Sequence, residues 1–205
     1  MNIIIFGPPL SGKGTHTKFL RENHGYDVIS TGALLRQHVA EKTELGKKIE
    51  PIMNAGDLIP TEDVLDVVKN AYLQRSSKEG VLFDGTPRRV NEFHDLQAFL
   101  KSQGETFHQI LFLNVPENEL LHRMETRRQA TIDVGETPRA DDNEDVLKHR
   151  LEKYYSESLP VVAAASQYNI EVKTVNGNQD IALVQQEILH AIHNYDPNPI
   201  VGYTM

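Results

Sequence analysis

The stretch "GPPLSGKGT" at residues 7–15 has glycines at 7 and 12 and a lysine at 13, the spacing of a loop that cradles phosphate. In such a loop backbone N–H groups and the start of the next helix hold phosphate oxygens, and the lysine reaches the outer phosphoryl group. Gly14 follows Lys13, so the hydroxyl that would ligate magnesium directly after the lysine comes one place later, at Thr15. A magnesium ion is then expected to be held mainly through water, near Thr15 and Asp84. Leu10 sits in mid-loop, where the backbone needs freedom. A leucine at positive φ is strained by about 1 kcal/mol or more, so the loop is expected to shift and to bind its ligand more weakly.

A second anion site is readable in "DGTPRR" at 84–89. An acid at the carboxyl end of a parallel strand faces the ligand crevice of an open α/β sheet, which places Asp84 within reach of a magnesium-bound water. Arg88 lies just beyond, near the start of the next helix. "STGALLR" at 30–36 also follows a strand candidate, with Thr31 and Gly32 at a helix start and Arg36 one turn further in. Arg36 and Arg88 are expected to converge on one phosphate as forked donors. A third set comes late. Arg123 and Arg127 are four apart on one helical face, Arg139 precedes the acidic helix start "ADDNED", and Arg150 falls on an apolar stripe with Val146 and Tyr154. Each alone suits a surface charge or ion pair. Together with two phosphate sites they suit a clamp on a transferring phosphoryl group, which needs positioning and dense positive charge rather than covalent chemistry.

The elements that must position these residues alternate between short apolar runs and helical patterns. "NIIIF" at 2–6, "DVIS" at 27–30, "VLF" at 81–83, "ILFLNV" at 110–115 and "IEVKTV" at 170–175 read as strands. Stripes such as Phe93, Leu96, Phe99 and Leu100 read as helices, and Pro116 suits a first helical turn. The alternation predicts an α/β fold with a mostly parallel sheet. Residues 31–75 hold about three helical patterns broken at "NAGDLIPT", too much for one crossover, and read in part as an inserted subdomain. Residues 128–138 lack periodicity and read as an exposed loop. The tail "DPNPIVGYTM" is expected to be extended or disordered.

Composition bounds the partners. The chain has 205 residues, 29 acidic against 21 basic, and a formal net charge of −8, which argues against nucleic-acid binding but not against small anions held by local arginines. Cysteine is absent, so neither disulfides nor a thiolate zinc site can form. "NIIIF" is too short for a leader peptide, and no apolar stretch reaches the ~20 residues of a membrane span. A soluble cytoplasmic protein with no membrane partner is the expectation.

The combination of "GKGT", "STG", "LLR", "LG", "AGDLIP", "DGTPR", "RR" and "RADDNEDVLKHRL" followed by "YY" resembles the nucleoside monophosphate kinases, closest to their short-lid adenylate kinase branch, from residue 1 to about 193. The resemblance implies a three-layer α/β P-loop fold with a five-stranded parallel sheet. It implies a core of 1–29, 61–127 and 139–194, a monophosphate-binding insertion at 30–60, a short lid at 128–138 and a tail at 195–205. It implies a monomer that uses ATP, a nucleoside monophosphate and Mg2+, without zinc. Gly7, Pro8, Gly12, Lys13, Gly14 and Thr15, with Arg123 and Arg127, would hold ATP. Thr31, Gly32, Arg36, Ile59, Gly85, Arg88, Glu92, Arg139 and Arg150 would hold the monophosphate. Lys13, Asp84, Arg88, Arg123, Arg127, Arg139 and Arg150 would carry catalysis, and Asp141 would help the lid close.

Five positions depart from that family's pattern. Leu10 replaces a glycine, His16 a glutamine, Ala33 an aspartate that assists Asp84, and Thr86 a phenylalanine beside the monophosphate. Glu92 replaces a glutamine that reads the adenine edge. An ionised glutamate only accepts hydrogen bonds. It would repel adenine N1 and suit the paired donors of guanine, so a guanine-type acceptor stands beside AMP here. A glutamate turned to solvent, or protonated when it reads adenine, would leave AMP preferred. A catalytically weakened nucleotide-binding homologue is the other alternative.

Overall fold

The computed structural model describes residues 1–139 and 141–195. Along the chain run β1 (Asn2–Phe6), α1 (Lys13–His24), β2 (Asp27–Ser30), α2 (Thr31–Ala40), α3 (Glu44–Ala55), α4 (Thr61–Leu73), β3 (Val81–Asp84), α5 (Val90–Ser102), β4 (Gln109–Asn114), α6 (Glu117–Asp133), α7 (Glu144–Lys153), α8 (Pro160–Ala165), β5 (Glu171–Asn176) and α9 (Ile181–His193). The strands form one all-parallel sheet in the order β2-β3-β1-β4-β5. β4 and β5 lie one residue off their expected spans, in opposite directions. Their ladder pairs Gln109 with Glu171 and Asn114 with Asn176, and Gln109 Nε2 donates to Glu171 Oε2 at 2.6 Å. Polar residues at the strand ends hide this register from an apolar pattern.

Side-chain alternation along β1 splits the core into two layers. Ile3 and Ile5 pack with Leu82, Leu111 and Leu113 beneath α1 and α9. Ile4 and Phe6 pack with Ile29, Phe83 and Ile110 beneath α4, α5 and α8, with Leu35 of α2 and Ile49 of α3 joining the same cluster. The sheet is thus covered on both faces, the reason its central strands carry no polar face.

The three helical patterns expected in 31–75 are α2, α3 and α4. Thr43 caps α3 by accepting from Gly46 N at 3.0 Å, and α3 ends at Gly56, φ 81°. The expected loop at 128–138 is half wrong: α6 continues to Asp133, with Gln129 Nε2 donating to Asp133 Oδ1 at 2.7 Å and Thr131 Oγ1 to Arg127 O at 2.9 Å. This helix end is exposed and polar, so it shows no apolar stripe. Pro116 is the N-cap of α6 rather than its first turn. Late in the acidic run "ADDNED", α7 begins at Glu144, capped by Asn143, whose Oδ1 accepts from Val146 N at 3.0 Å. α7 leads through a π-turn at Tyr154–Ser158 into α8, an irregularity with no sequence expectation behind it. The expected tail lies, beyond Tyr195, outside the described residues. Among the described residues no helix is long and apolar enough to cross a membrane.

Candidate active site

β1 sits between β3 and β4; the chain passes from β1 to β2 and β3 on one side and then crosses to β4 and β5 on the other. The crevice at the carboxyl ends of such strands is where open α/β sheets bind ligands. A cleft of about 710 Å³ opens there. One wall is the loop 7–12, which enters α1 at Gly12 with φ 93°, a left-handed conformation that glycine takes freely. Lys13 is the first residue of α1. Its Nζ folds back onto the loop, donating to Gly7 O at 2.9 Å, Pro8 O at 2.7 Å and Ser11 Oγ at 3.4 Å. Burial pushes the Lys13 ammonium down to about 7; Asp84 opposes this, and Arg88 and Arg150 add to it. Gly14 and Thr15 are exposed on the cleft.

Leu10 keeps its place in mid-loop. It adopts the left-handed backbone itself, φ 66°, and packs against a cluster of Val115, Leu120, Met124, Leu147 and Leu151 under α6 and α7. Arg123 joins α6 to the same loop: Nε donates to Glu119 Oε1 at 2.9 Å, Nη1 to Ser11 O at 3.3 Å and Nη2 to Gly177 O at 2.7 Å. His16 is buried beside it. Burial, with Arg123 adding, holds its imidazole down at about 4 and therefore neutral.

The facing wall carries the residues expected at the second anion site. Asp84 ends β3, and Ser30 Oγ donates to its Oδ2 at 3.2 Å. Ala33 is exposed on α2, so Ser30 is the side chain that meets Asp84. Arg36, Arg88, Arg127, Arg139 and Arg150 all line the cleft with Lys13 and Arg123, which brings every expected arginine together. Arg88 Nε donates to Gly85 O at 2.9 Å. Arg150 pairs with Asp141 and Arg127 with Asp142, so Asp141, expected to help a lid close, and its neighbour Asp142 each hold an arginine that lines the cleft. Arg139 is exposed at its rim. Burial lowers Arg150 to about 10, with Arg88 adding and Asp141 opposing, and burial and Arg139 lower Arg36. Such crowding is relieved by an anion.

Thr31, Gly32, Ile59 and Gly85 line a narrower recess beside the cleft. Thr31 Oγ1 is buried without a protein partner among the described residues. Glu92 does not point to solvent. It is 2 % exposed, and its Oε1 accepts from the hydroxyl of Thr86, also buried. Burial raises its carboxyl above the usual range, against hydrogen bonds from Thr86 and the Arg88 backbone.

Two features escaped the sequence reading. Arg89 holds the "AGDLIP" turn, donating to Ile59 O at 2.8 Å, Leu58 O at 3.4 Å and Glu157 Oε2 at 2.8 Å; the doubled arginine of "DGTPRR" was the available signal. Gly56 lets α7 close on that turn, since a Cβ there would lie 2.8 Å from Val146 Cγ1 and 3.0 Å from Arg150 Cγ. No local pattern announces that contact.

A family model described as adenylate kinase matches residues 5–170. The chain is similar to the adenylate kinase of Caldicellulosiruptor saccharolyticus, 34% identical over 94% of this chain and 99% of the relative. It is similar to that of Rhizobium meliloti, 36% identical over 92% and 97%, and to that of Bacteroides thetaiotaomicron, 39% identical over 79% and 82%.

Proposed function

This chain belongs to the adenylate kinase family, and from that premise we propose how its residues divide the work. It is a nucleoside monophosphate kinase that transfers a phosphoryl group from ATP to AMP, giving two ADP. The observation that carries the division of labour is that one cleft joins the Lys13 loop to the Arg36 and Arg88 wall. The loop from Gly7 to Thr15, with Arg123 and Arg127, holds the ATP phosphates, Lys13 exchanging the carbonyls of Gly7 and Pro8 for phosphoryl oxygens. Thr31, Arg36, Gly85 and Arg88 hold the AMP phosphate, with Gly32 and Ile59 shaping the recess. Arg139 and Arg150 reach the transferring group from the rim and from α7.

The acceptor phosphate is already an anion, so no general acid or base is required. Transfer is direct and in line, and no phosphoenzyme forms. The arginines and Lys13 stabilise charge as it spreads over the phosphoryl oxygens, the interaction that counts most in such a transition state. A magnesium ion bound with ATP would neutralise part of that charge. Its fit is a matter of donors. Among the described residues no group of three or more His, Asp or Glu could hold a metal alone. Asp84, fixed by Ser30, and the exposed Thr15 hydroxyl offer the hard oxygen contacts through which a phosphate-bound, water-rich magnesium is steadied.

The insertion at 30–60 is the acceptor flap, and the lid at 128–138 falls on the end of α6 and the turn after it. Their closure would exclude water and suppress ATP hydrolysis. We place the protein in the cytoplasm as a monomer. A coupled assay with ATP and AMP, GMP, CMP or UMP tests the reading. ADP should form from AMP at roughly 1–100 s⁻¹, as kinases commonly run, with AMP preferred by about tenfold or more. Turnover below ~1 s⁻¹ with every acceptor would instead identify a nucleotide-binding protein that has lost catalysis.

A further inference from the structure

Thr86 and Glu92 both depart from the family pattern, and in the fold they meet. Thr86 lies in the turn after β3 and Glu92 in the first turn of α5, and the Thr86 hydroxyl donates to Glu92 Oε1. The recess where Glu92 ends has walls from Leu35, Met53, Ile59 and Val64. These walls are apolar, as suits the faces of a base. The two arginines beside Glu92 are committed elsewhere: Arg88 Nε to Gly85 O, and Arg89 to Glu157 and the carbonyls of Leu58 and Ile59. A carboxylate in this place would be buried without an ion pair, which is costly.

We propose that Glu92 reads the acceptor base as a neutral carboxylic acid, its Oε2–H donating to adenine N1 and its Oε1, fixed as an acceptor by Thr86, taking a hydrogen from the 6-amino group. The proposal rests on AMP being the acceptor. A neutral carboxyl presents one donor and one acceptor side by side, as a primary amide does, whereas a carboxylate presents two acceptors. Adenine offers the complement: N1 accepts and the 6-amino group donates. Thr86 decides which oxygen carries the proton, because the oxygen that receives its hydroxyl is the one left bare. A phenylalanine at 86 could not do this, which gives the paired substitution a single cause.

The charged groups around Glu92 are Arg88 and Arg89 in the approach to α5, Arg36 from α2, Asp57 after α3, and Asp141 and Arg150 from the α7 side. The neighbouring arginines favour the ionised form. Burial opposes them and prevails, holding the carboxyl above its ordinary range.

The test is carboxyl-carbon NMR of the AMP complex, with the Glu92 signal assigned by its loss in Glu92→Gln. The expected result is a protonated acid at neutral pH. As that signal titrates toward carboxylate on raising the pH, KM for AMP should rise in step, by up to about tenfold per pH unit, while KM for ATP does not follow. The AMP phosphate ionises near ~6 in wild type and variant alike, so only the difference between them reports Glu92. An AMP analogue with C–H in place of N1 should bind wild type roughly tenfold more weakly than AMP, as the loss of a buried hydrogen bond requires. A carboxylate signal in the AMP complex at neutral pH, or equal binding of the analogue, would overturn the proposal. Failure of the underlying reading would look different: no ADP from AMP at any pH, with turnover on another monophosphate.

Discussion

In the phosphate loop, Leu10 keeps a glycine's backbone at φ 66° and anchors its side chain among Val115, Leu120 and Met124. In the acceptor recess, Glu92 keeps a glutamine's place and is met by the hydroxyl of Thr86. The first substitution is absorbed by packing, the second by a hydrogen bond from another substituted residue. The difference follows from what each region uses to bind. In the proposed division of labour the loop would bind through backbone N–H groups, so a new side chain is tolerated once it finds apolar company and the backbone path is kept. The recess would bind through side chains, so a change in donor pattern there needs a second side chain to restore it.

Removing the charge at either end of the cleft should have the largest effect, each loss falling on its own region. Arg88→Ala should cut kcat/KM roughly a hundredfold or more, since it removes a donor aimed at transferring charge. Lys13→Ala should do at least as much. The two should split by substrate in steady-state kinetics, Lys13→Ala through ATP and Arg88→Ala through AMP. A change under about threefold for Arg88→Ala would remove it from the mechanism. Equal effects on both substrates from either variant would merge the two regions into one electrostatic site and dissolve the comparison.

The loop should also show a proton linkage of its own. Lys13 sits at about 7 in the free protein because it is buried. ATP phosphates would favour its charged form and raise that value. Between about 7 and the raised pKa, binding therefore takes up a proton, and ATP affinity falls as pH rises, by up to about tenfold per unit. Calorimetry of ATP binding in buffers of different ionisation enthalpy near pH 8 should show uptake of a fraction of a proton, and Lys13→Met should abolish it. Proton release in the wild type would contradict the sign.

Much of this was legible before any coordinates. The "GKGT" and "DGTPR" runs each follow an apolar strand, and strand ends in a parallel sheet converge on one crevice, so both anion sites and their arginines could be placed together. What stayed hidden leaves no local apolar or motif pattern to read. The end of α6 is exposed, with Ile132 lone among polar neighbours, so its extension to Asp133 leaves no apolar stripe. Gly56 against Arg150 joins residues nearly a hundred apart. Thr86 and Glu92 each read alone as a lost contact, and only the turn between β3 and α5 brings them into register.

The smallest effect asked of the comparison concerns Leu10, where strain and packing oppose each other. Leu10→Ala gives up the apolar contact and keeps a Cβ at positive φ. Leu10→Gly gives up the same contact and relieves the backbone. Losing a partly buried leucine side chain costs about 1–2 kcal/mol, and the left-handed strain is about 1 kcal/mol. Leu10→Gly should therefore unfold near the wild type, and Leu10→Ala should be less stable than Leu10→Gly by about 1 kcal/mol in denaturant titrations. Neither variant should move KM for ATP more than about threefold, because the N–H groups that hold phosphate keep their path. If Leu10→Gly raised that KM about tenfold, the apolar anchor would be setting the loop's position for phosphate. The loop would then depend on a side chain as fully as the acceptor recess does on Thr86 and Glu92.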